Sequence, residues 1–507
     1  MLKRNGLWLI AAALLVTAGC GSSAADEETD GTTFVYARKA TVTSFDLHNE
    51  ITENNAFAID QVFEPLVMFD EHGVVTDYLA DSTISDDGLV YTFVLHDGIK
   101  FSDGTDVTAE DVKYSLERHL EVGGPLPIEA DIRSIEAVDD KTVVITLKSR
   151  YTPFYSELAN FANGIVPKDL NGLSEEEFFA HPVGTGPFMV EEWDPSGDVV
   201  FVKNPYYWQE GKPLIDKLVF RYIEDDNQLI NQLKAGDVDA ADEITFANAK
   251  SIEDSEDTYV IASEGWEIEE LFFNTLDEHF SDVHVRRALA LAINREEMMQ
   301  ALTFGYGVTA RSVLPSALRY YAGDEIEVLD YDLERAAEEM KLSAYPDGFE
   351  TTISIASGNN VRLQEAQIVQ AAGEAIGITI NINAQEIATF RQDFKNLNYD
   401  MMINSAIADY PDANSIFAFQ VDPNGFSQCY WTNYRNEEAV ALMEHGRAVP
   451  DGDDRHATYC SLQQILANDV PYIPFYYPER VHGVRSNVEG LVYRPNGSPV
   501  FTSVTKK

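Results

Sequence analysis

Positive charge is what this sequence has least of. Its 507 residues include 36 Lys and Arg against 85 Asp and Glu, a formal net charge of −49 at pH 7. Nucleic acid is therefore excluded as a partner, because binding a polyanion requires a basic face. The acid is spread along the chain instead of collecting in a tail, the pattern of a solvated surface suited to high salt or alkaline surroundings. No D-x-D-x-D-G loop marks any of it for calcium. Cysteine is scarce as well, with Cys20, Cys429 and Cys460 the only three. The ten histidines form no H-x-H or H-E-x-x-H cluster, so neither a metal nor a cofactor is expected. A secreted hydrolase would need a nucleophile and a base, yet there is no G-x-S-x-G elbow and no cysteine with a persuasive partner. Gly184-Thr185-Gly186 lacks the Lys-Ser/Thr that would complete a P-loop. Beyond the N-terminus no run reaches the roughly 18 uninterrupted apolar residues of a membrane span.

What is present begins with an export signal. Lys3 and Arg4 precede a short apolar run, Leu7–Thr17, and Val16-Thr17-Ala18-Gly19-Cys20 resembles a lipobox. Residues 1–19 are expected to be a signal peptide that is removed, with Cys20 lipidated (a palmitate-type anchor) and residues 20–31 a polar tether. The protein is then exported and held at the extracytoplasmic face of a membrane, or in a periplasm. In that oxidising setting Cys429 and Cys460 could form one disulfide.

The chain as a whole has the composition of cores, 45% hydrophobic with 11% aromatic, and length enough for two to four domains. Strand and helix signals mix throughout. Leu89–Leu95 reads as a strand closed by Asp97-Gly98. Thr108 with Asp111 opens a helix in a capping-box arrangement, and Val112, Leu116 and Leu120 mark its inner face. Leu214–Ile223 is a strand, Asn227–Ala235 a helix stopped by Gly236, and Ser281–Ala301 two consecutive helices, the second opened by Asn294. Further strands fall at Thr351–Ile355, Ile378–Ile382 and Tyr399–Ile407, and further helices at Arg362–Ala375 and Arg455–Ala467. Arg286 and Arg287 are expected to pair with surface carboxylates.

Seven segments in order resemble the family-5 solute-binding proteins of ABC importers, which include oligopeptide, dipeptide and nickel-complex binders. They are Phe63–Val67 with DDGLVYTFVLHDGIKFSDGTDVTAEDVKYSLER (Asp86–Arg118), Gly184–Phe188, Lys203–Trp208, Gln232–Ala240, Phe273-Asn274-Thr275, Val285–Ala290 and Val470–Tyr476. The resemblance implies an α/β, two-lobed periplasmic-binding-protein-like fold (type II, large cluster) with an extra domain inserted in lobe one. Lobe one would take residues 32–63, 184–264 and 479–507, the inserted domain 64–183, and lobe two 265–478. The chain would cross between lobes near Gly265 and Pro478.

The resemblance also implies a function. Such a protein, acting as a monomer and not as an enzyme, captures a peptide and presents it to the permease subunits of an ABC transporter. Peptide binders of this kind pair the ligand backbone to a strand and hold its α-amino group with an aspartate in an Ala-Asp-Tyr context, which here is Asp409. Ser405 and Ile407 are then the backbone-pairing positions by period two. A desolvated ammonium needs such a charge. Arg362 is the candidate for a ligand carboxylate, and Trp266, Tyr410 and Trp431 are candidate pocket walls. Asp412 reads as a cap of local backbone. A metal chelate or an oligosaccharide remains open as ligand, and a sugar would not require Asp409.

Overall fold

Residues 32–50, 52–424 and 432–507 are described in the computed structural model. Cys20, Cys429 and Trp431 lie outside them, and with them the leader, the tether, the lipidation, the disulfide and one candidate wall.

Period-two patterning builds the smaller sheet. In Val90–Leu95 the alternate side chains Tyr91, Phe93 and Leu95 are buried. This strand pairs antiparallel with Ala80–Ile84 and Thr142–Leu147, and the latter with Ile132–Ala137. The Ala109–Val122 helix begins where the capping box places it: Thr108 N–H and Oγ1 donate to Asp111 Oδ2 at 2.8 and 2.6 Å. Val112 and Leu116 are buried, but Leu120 is 42% exposed. At roughly 100° per residue, eight residues rotate a side chain about 80° from the starting face, so four-residue spacing drifts off the core.

Twelve strands form the larger sheet; ten of them read from one edge 378–385, 349–356, 401–407, 267–273, 472–485, 240–241, 33–38, 217–222, 199–203 and 188–193, and 258–264 and 307–309 pair with 472–485 off this path. Tyr472–Arg485 is the strand two α/β halves have in common. Its first part pairs with Glu267–Phe273 and Gly307–Thr309, its second with Thr258–Glu264 and Ala240–Ala241. Helices cover the sheet on both halves, among them Val283–Ala292 and Arg295–Thr303, the latter opened by Asn294 Oδ1 accepting from Glu297 N–H at 3.2 Å.

Two motifs turn out to serve packing. A Cβ on Gly184 would stand 2.0 Å from the Val62 carbonyl oxygen, and Gly186 N–H donates to that same oxygen at 2.8 Å. Only glycine admits so close a backbone approach. Arg286 corrects the expectation of a surface ion pair. It is buried, and its guanidinium donates to the carbonyls of Phe280, Asp469 and Val470, while Arg287 donates to that of Asn468. The Asn468, Asp469 and Val470 carbonyls stand at the end of the Asp453–Asp469 helix, whose last turn leaves acceptors without intrahelical donors.

Candidate functional site

The Met401–Ile407 strand is buried at its start, with Met401, Met402 and Ile403 fully enclosed, and partly exposed toward its end. The Glu267–Phe273 strand accompanies it along its whole length, antiparallel, from Phe273 opposite Met401 to Glu267 opposite Ile407. The parallel Phe349–Ala356 strand pairs with it only at Met401 and Met402. Past Met402 the strand therefore outruns that neighbour. Ala408 N–H donates to the Trp266 carbonyl at 3.1 Å. Main-chain groups alternate sides residue by residue, so those of Ser405 and Ile407 point away from Glu267–Phe273, toward the side on which the second neighbour has ended.

Asp409 follows this strand and is half-buried. Its main chain is fixed: the N–H donates to Ser415 Oγ at 2.7 Å and the carbonyl accepts from Asn160 Nδ2 at 3.1 Å. Its carboxylate has no hydrogen bond or ion pair among the described residues. Burial pushes the carboxyl up to about 7, and the charges of Glu129 and Glu53 push in the same direction. An aspartate acting as a local turn-former would bond neighbouring N–H groups; that is what Asp412 does. Asp412 Oδ1 accepts from Asn414 N–H at 2.9 Å, and both its oxygens take the buried Arg455 fork at 2.8 and 2.7 Å.

Beside Asp409 lies a cavity of about 260 Å³ whose walls include Glu129, Tyr151, Glu157, Asn160 and Tyr410. The Tyr410 hydroxyl accepts from Asn414 Nδ2 at 3.1 Å, which fixes its ring in the wall. Asn160, Glu129 and Glu157 come from a segment some 250 residues earlier in the chain. No sequence signal marked them, because none belongs to a motif and their neighbours are set by tertiary folding.

The remaining candidates fall elsewhere. Trp266 is 1% exposed and packs its ring 4.9 Å from that of Phe69; it is core, away from the cavity beside Asp409. Arg362, beside Ser405, is engaged with protein groups. Its Nη2 and Nε donate to the two oxygens of Glu269 at 2.9 and 3.3 Å, Nη2 also reaches Ser405 Oγ at 3.1 Å, and Nη1 reaches Asn404 Oδ1 at 3.0 Å. A guanidinium so held carries little free charge for a ligand.

Acid also gathers where the two halves of the large sheet meet. Arg480, on the shared strand, pairs with Glu53 and Glu243 at 2.5 Å and lies 3.5 Å from Glu267. One cation serves three carboxylates, and burial pushes Glu267 up to about 7 in spite of it. Among the described residues no group of three or more His, Cys, Asp or Glu is placed to hold a metal ion. No helix among them is long and apolar enough to cross a membrane.

Residues 74–428 match the family described as bacterial extracellular solute-binding proteins, family 5, middle region. Over 508 aligned residues the chain is 28% identical to the glutathione-binding protein GsiB of Escherichia coli O157:H7, covering 97% of each. Its structure is similar to that of the ABC transporter-associated periplasmic binding protein DppA from Helicobacter pylori in complex with the peptide STSA. That match has a TM-score of 0.82 at 27% identity, over 94% of this chain and 98% of that one. A dipeptide binding protein from Pseudoalteromonas sp. SM9913, in complex with Met-Leu, matches with a TM-score of 0.82 at 25% identity, over 94% and 100%.

Proposed function

As the chain belongs to the family-5 bacterial extracellular solute-binding proteins, which are binding proteins of ABC importers and not enzymes, we propose that it captures peptides by their α-amino group. The observation that carries this reading is Asp409: a carboxylate without a partner among the described residues, held by its main chain at the end of a strand that has outrun one neighbour. A ligand ammonium would supply the missing charge, and a charge-assisted bond in a desolvated site is among the stronger ones available. Ile407 directs its main-chain groups away from Glu267–Phe273, to the side where a peptide could add as a further strand, a mode indifferent to side-chain identity. Glutathione, the peptide STSA and Met-Leu, the ligands named for three relatives, share a primary ammonium.

In this reading residues 32–63, 184–264 and 479–507 form lobe one, 64–183 the inserted domain and 265–478 lobe two, with the ligand enclosed between them. Lipid on Cys20 tethers the monomer outside the membrane, near its permease. Native mass spectrometry of the purified protein tests the ligand class. Co-purified peptides, or peptide adducts on titration, are expected; a saccharide or a metal chelate carried in their place would overturn the reading.

A further inference from the structure

The cavity beside Asp409 holds more acid than α-amino capture uses. Glu129, Glu157, Asp409 and Asp422 line it, against one guanidinium, that of Arg447. Arg447 is already committed, with Nη1 on Asp422 at 2.8 Å, Nε on Asn414 Oδ1 at 2.6 Å and Nη2 3.7 Å from Glu129. His119, also in the wall, lies between Asn163 Oδ1 and the Leu126 carbonyl, and burial holds its pKa below the usual histidine range. Glu129 Oε2 is met by Tyr151 Oη at 2.6 Å and Asn414 Nδ2 at 3.2 Å. Glu157 is different. It is 3% exposed, its Oε1 accepts from Glu129 N–H at 2.6 Å, and its Oε2 has no partner among the described residues. Burial, and then the Glu129 charge, push its carboxyl well above the ordinary range, so it ionises only when a cation stands beside it. Glu270 and Glu365 also leave one oxygen unmatched, but of the three it is Glu157 that lines this cavity. Leu126, Pro127, Tyr410 and Phe419 give the same cavity apolar walls.

An apolar shaft with unmatched acid in it is complementary to an alkyl stem that ends in a cation. Resting on the peptide reading above, we infer that this cavity receives the side chain of the ligand's first residue and selects a lysine- or arginine-like cation there, with Glu157 as its counter-charge. A neutral stem would leave the Glu157 oxygen desolvated and unmatched, and an acidic one would add a like charge. Glutathione, whose first residue carries its own carboxylate next to the ammonium, is disfavoured by the same logic.

The test is calorimetric titration of the mature protein at pH 7.5 with Lys-Ala-Ala, norleucine-Ala-Ala, Glu-Ala-Ala and glutathione. Lys-Ala-Ala is expected to bind about 10- to 100-fold tighter than the norleucine peptide, the range of one charge-assisted hydrogen bond, and Glu-Ala-Ala more weakly than either. In Glu157→Gln the lysine-to-norleucine ratio is expected to fall to near one. Equal affinities in the wild-type protein, preference for glutathione, or a ratio that survives Glu157→Gln overturns the inference while leaving peptide capture intact. Binding of none of the four removes peptide capture itself, and the pocket assignment with it.

Discussion

Replacing Asp409 with Asn keeps the side-chain shape and removes one ionisation. Burial first, then Glu129 and Glu53, raise the carboxyl from its ordinary 3.8 to about 7. That is about three pH units, and at roughly 1.4 kcal/mol each, holding the charge in the empty site costs at most about 4 kcal/mol. The native pKa lies above the unfolded one, so the penalty is absent below about pH 4, grows as pH rises toward 7 and is complete above it. Asp409→Asn is therefore expected to raise the melting temperature of the ligand-free protein at pH 8 and to leave it unchanged at pH 4. Binding carries the opposite sign. If the carboxylate is the form that meets the ammonium, affinity is reduced by a factor of 1 + 10^(7 − pH), about 11 at pH 6 and about 1.1 at pH 8. At pH 8 about half or more of the peptide amine, with an ordinary pKa of roughly 7.7–8.0, has lost its own proton. The wild-type protein should thus bind free-amine peptides about three- to fivefold more weakly at pH 6 than at pH 8. Affinity therefore peaks between the two pKa values, at about pH 7.4, and falls again above pH 8. Calorimetry from pH 5.5 to 9, with thermal melts of both proteins, measures all of this. An affinity flat between pH 6 and 8, or a variant less stable than wild type at pH 8, would refute the argument and make Asp409 a structural cap.

Other positions separate structure from binding. Arg455→Met strands the buried Asp412 carboxylate and is expected to cost about 3–5 kcal/mol in chemical denaturation, with most of it recovered in the Asp412→Asn/Arg455→Met double variant. Gly184→Ala places a methyl against the Val62 carbonyl, 2.0 Å away; a loss of about 1–3 kcal/mol or more in unfolding free energy is expected, and an unchanged denaturation midpoint would contradict the close approach. Arg362→Gln leaves Glu269 without its cation and should lower the melting temperature. Because Arg362 is already held by Glu269, wild-type protein should bind a C-terminally amidated tripeptide within about threefold of the free acid. A large preference for the acid would show that the guanidinium leaves Glu269 for the ligand.

What could be read from the sequence was local in physical origin. Val90–Leu95 declared itself by alternation, the helix at Ala109 by Thr108 and Asp111, and the end of the Asp226–Ala235 helix by Gly236, which sits in the left-handed region with φ 85°. Asp409 stood out because a carboxylate broke an apolar run, a contrast visible within a few residues. Arg286 was misjudged because its partners are main-chain carbonyls, which every residue carries and no composition reveals. Glu157 and Asn160 could not be found at all. Asn160 meets the Asp409 carbonyl across 249 positions of chain, and only the packed structure brings the two together.

The acid excess illustrates the same limit from the other side. A net charge of −49 reads as a solvated surface, yet several carboxyls are buried, and the structure divides them by what meets them. Glu64 accepts from Tyr78, Tyr207 and Trp208, Glu270 from Gln420 and Glu365 from Tyr476. Glu64 is met on both oxygens, whereas Glu270 and Glu365 each have a donor on one oxygen and leave the other unmatched inside the core. Among the described residues Asp409 has no donor on its carboxylate, and Glu157 has one donor and one unmatched oxygen; unlike Glu270 and Glu365, both line a cavity large enough to admit a guest. A fold that supplies donors to Glu64 three times over had the means to supply one to Asp409. Ionised, that carboxylate carries a cost that the described residues do not offset, and a cation arriving from outside would offset it.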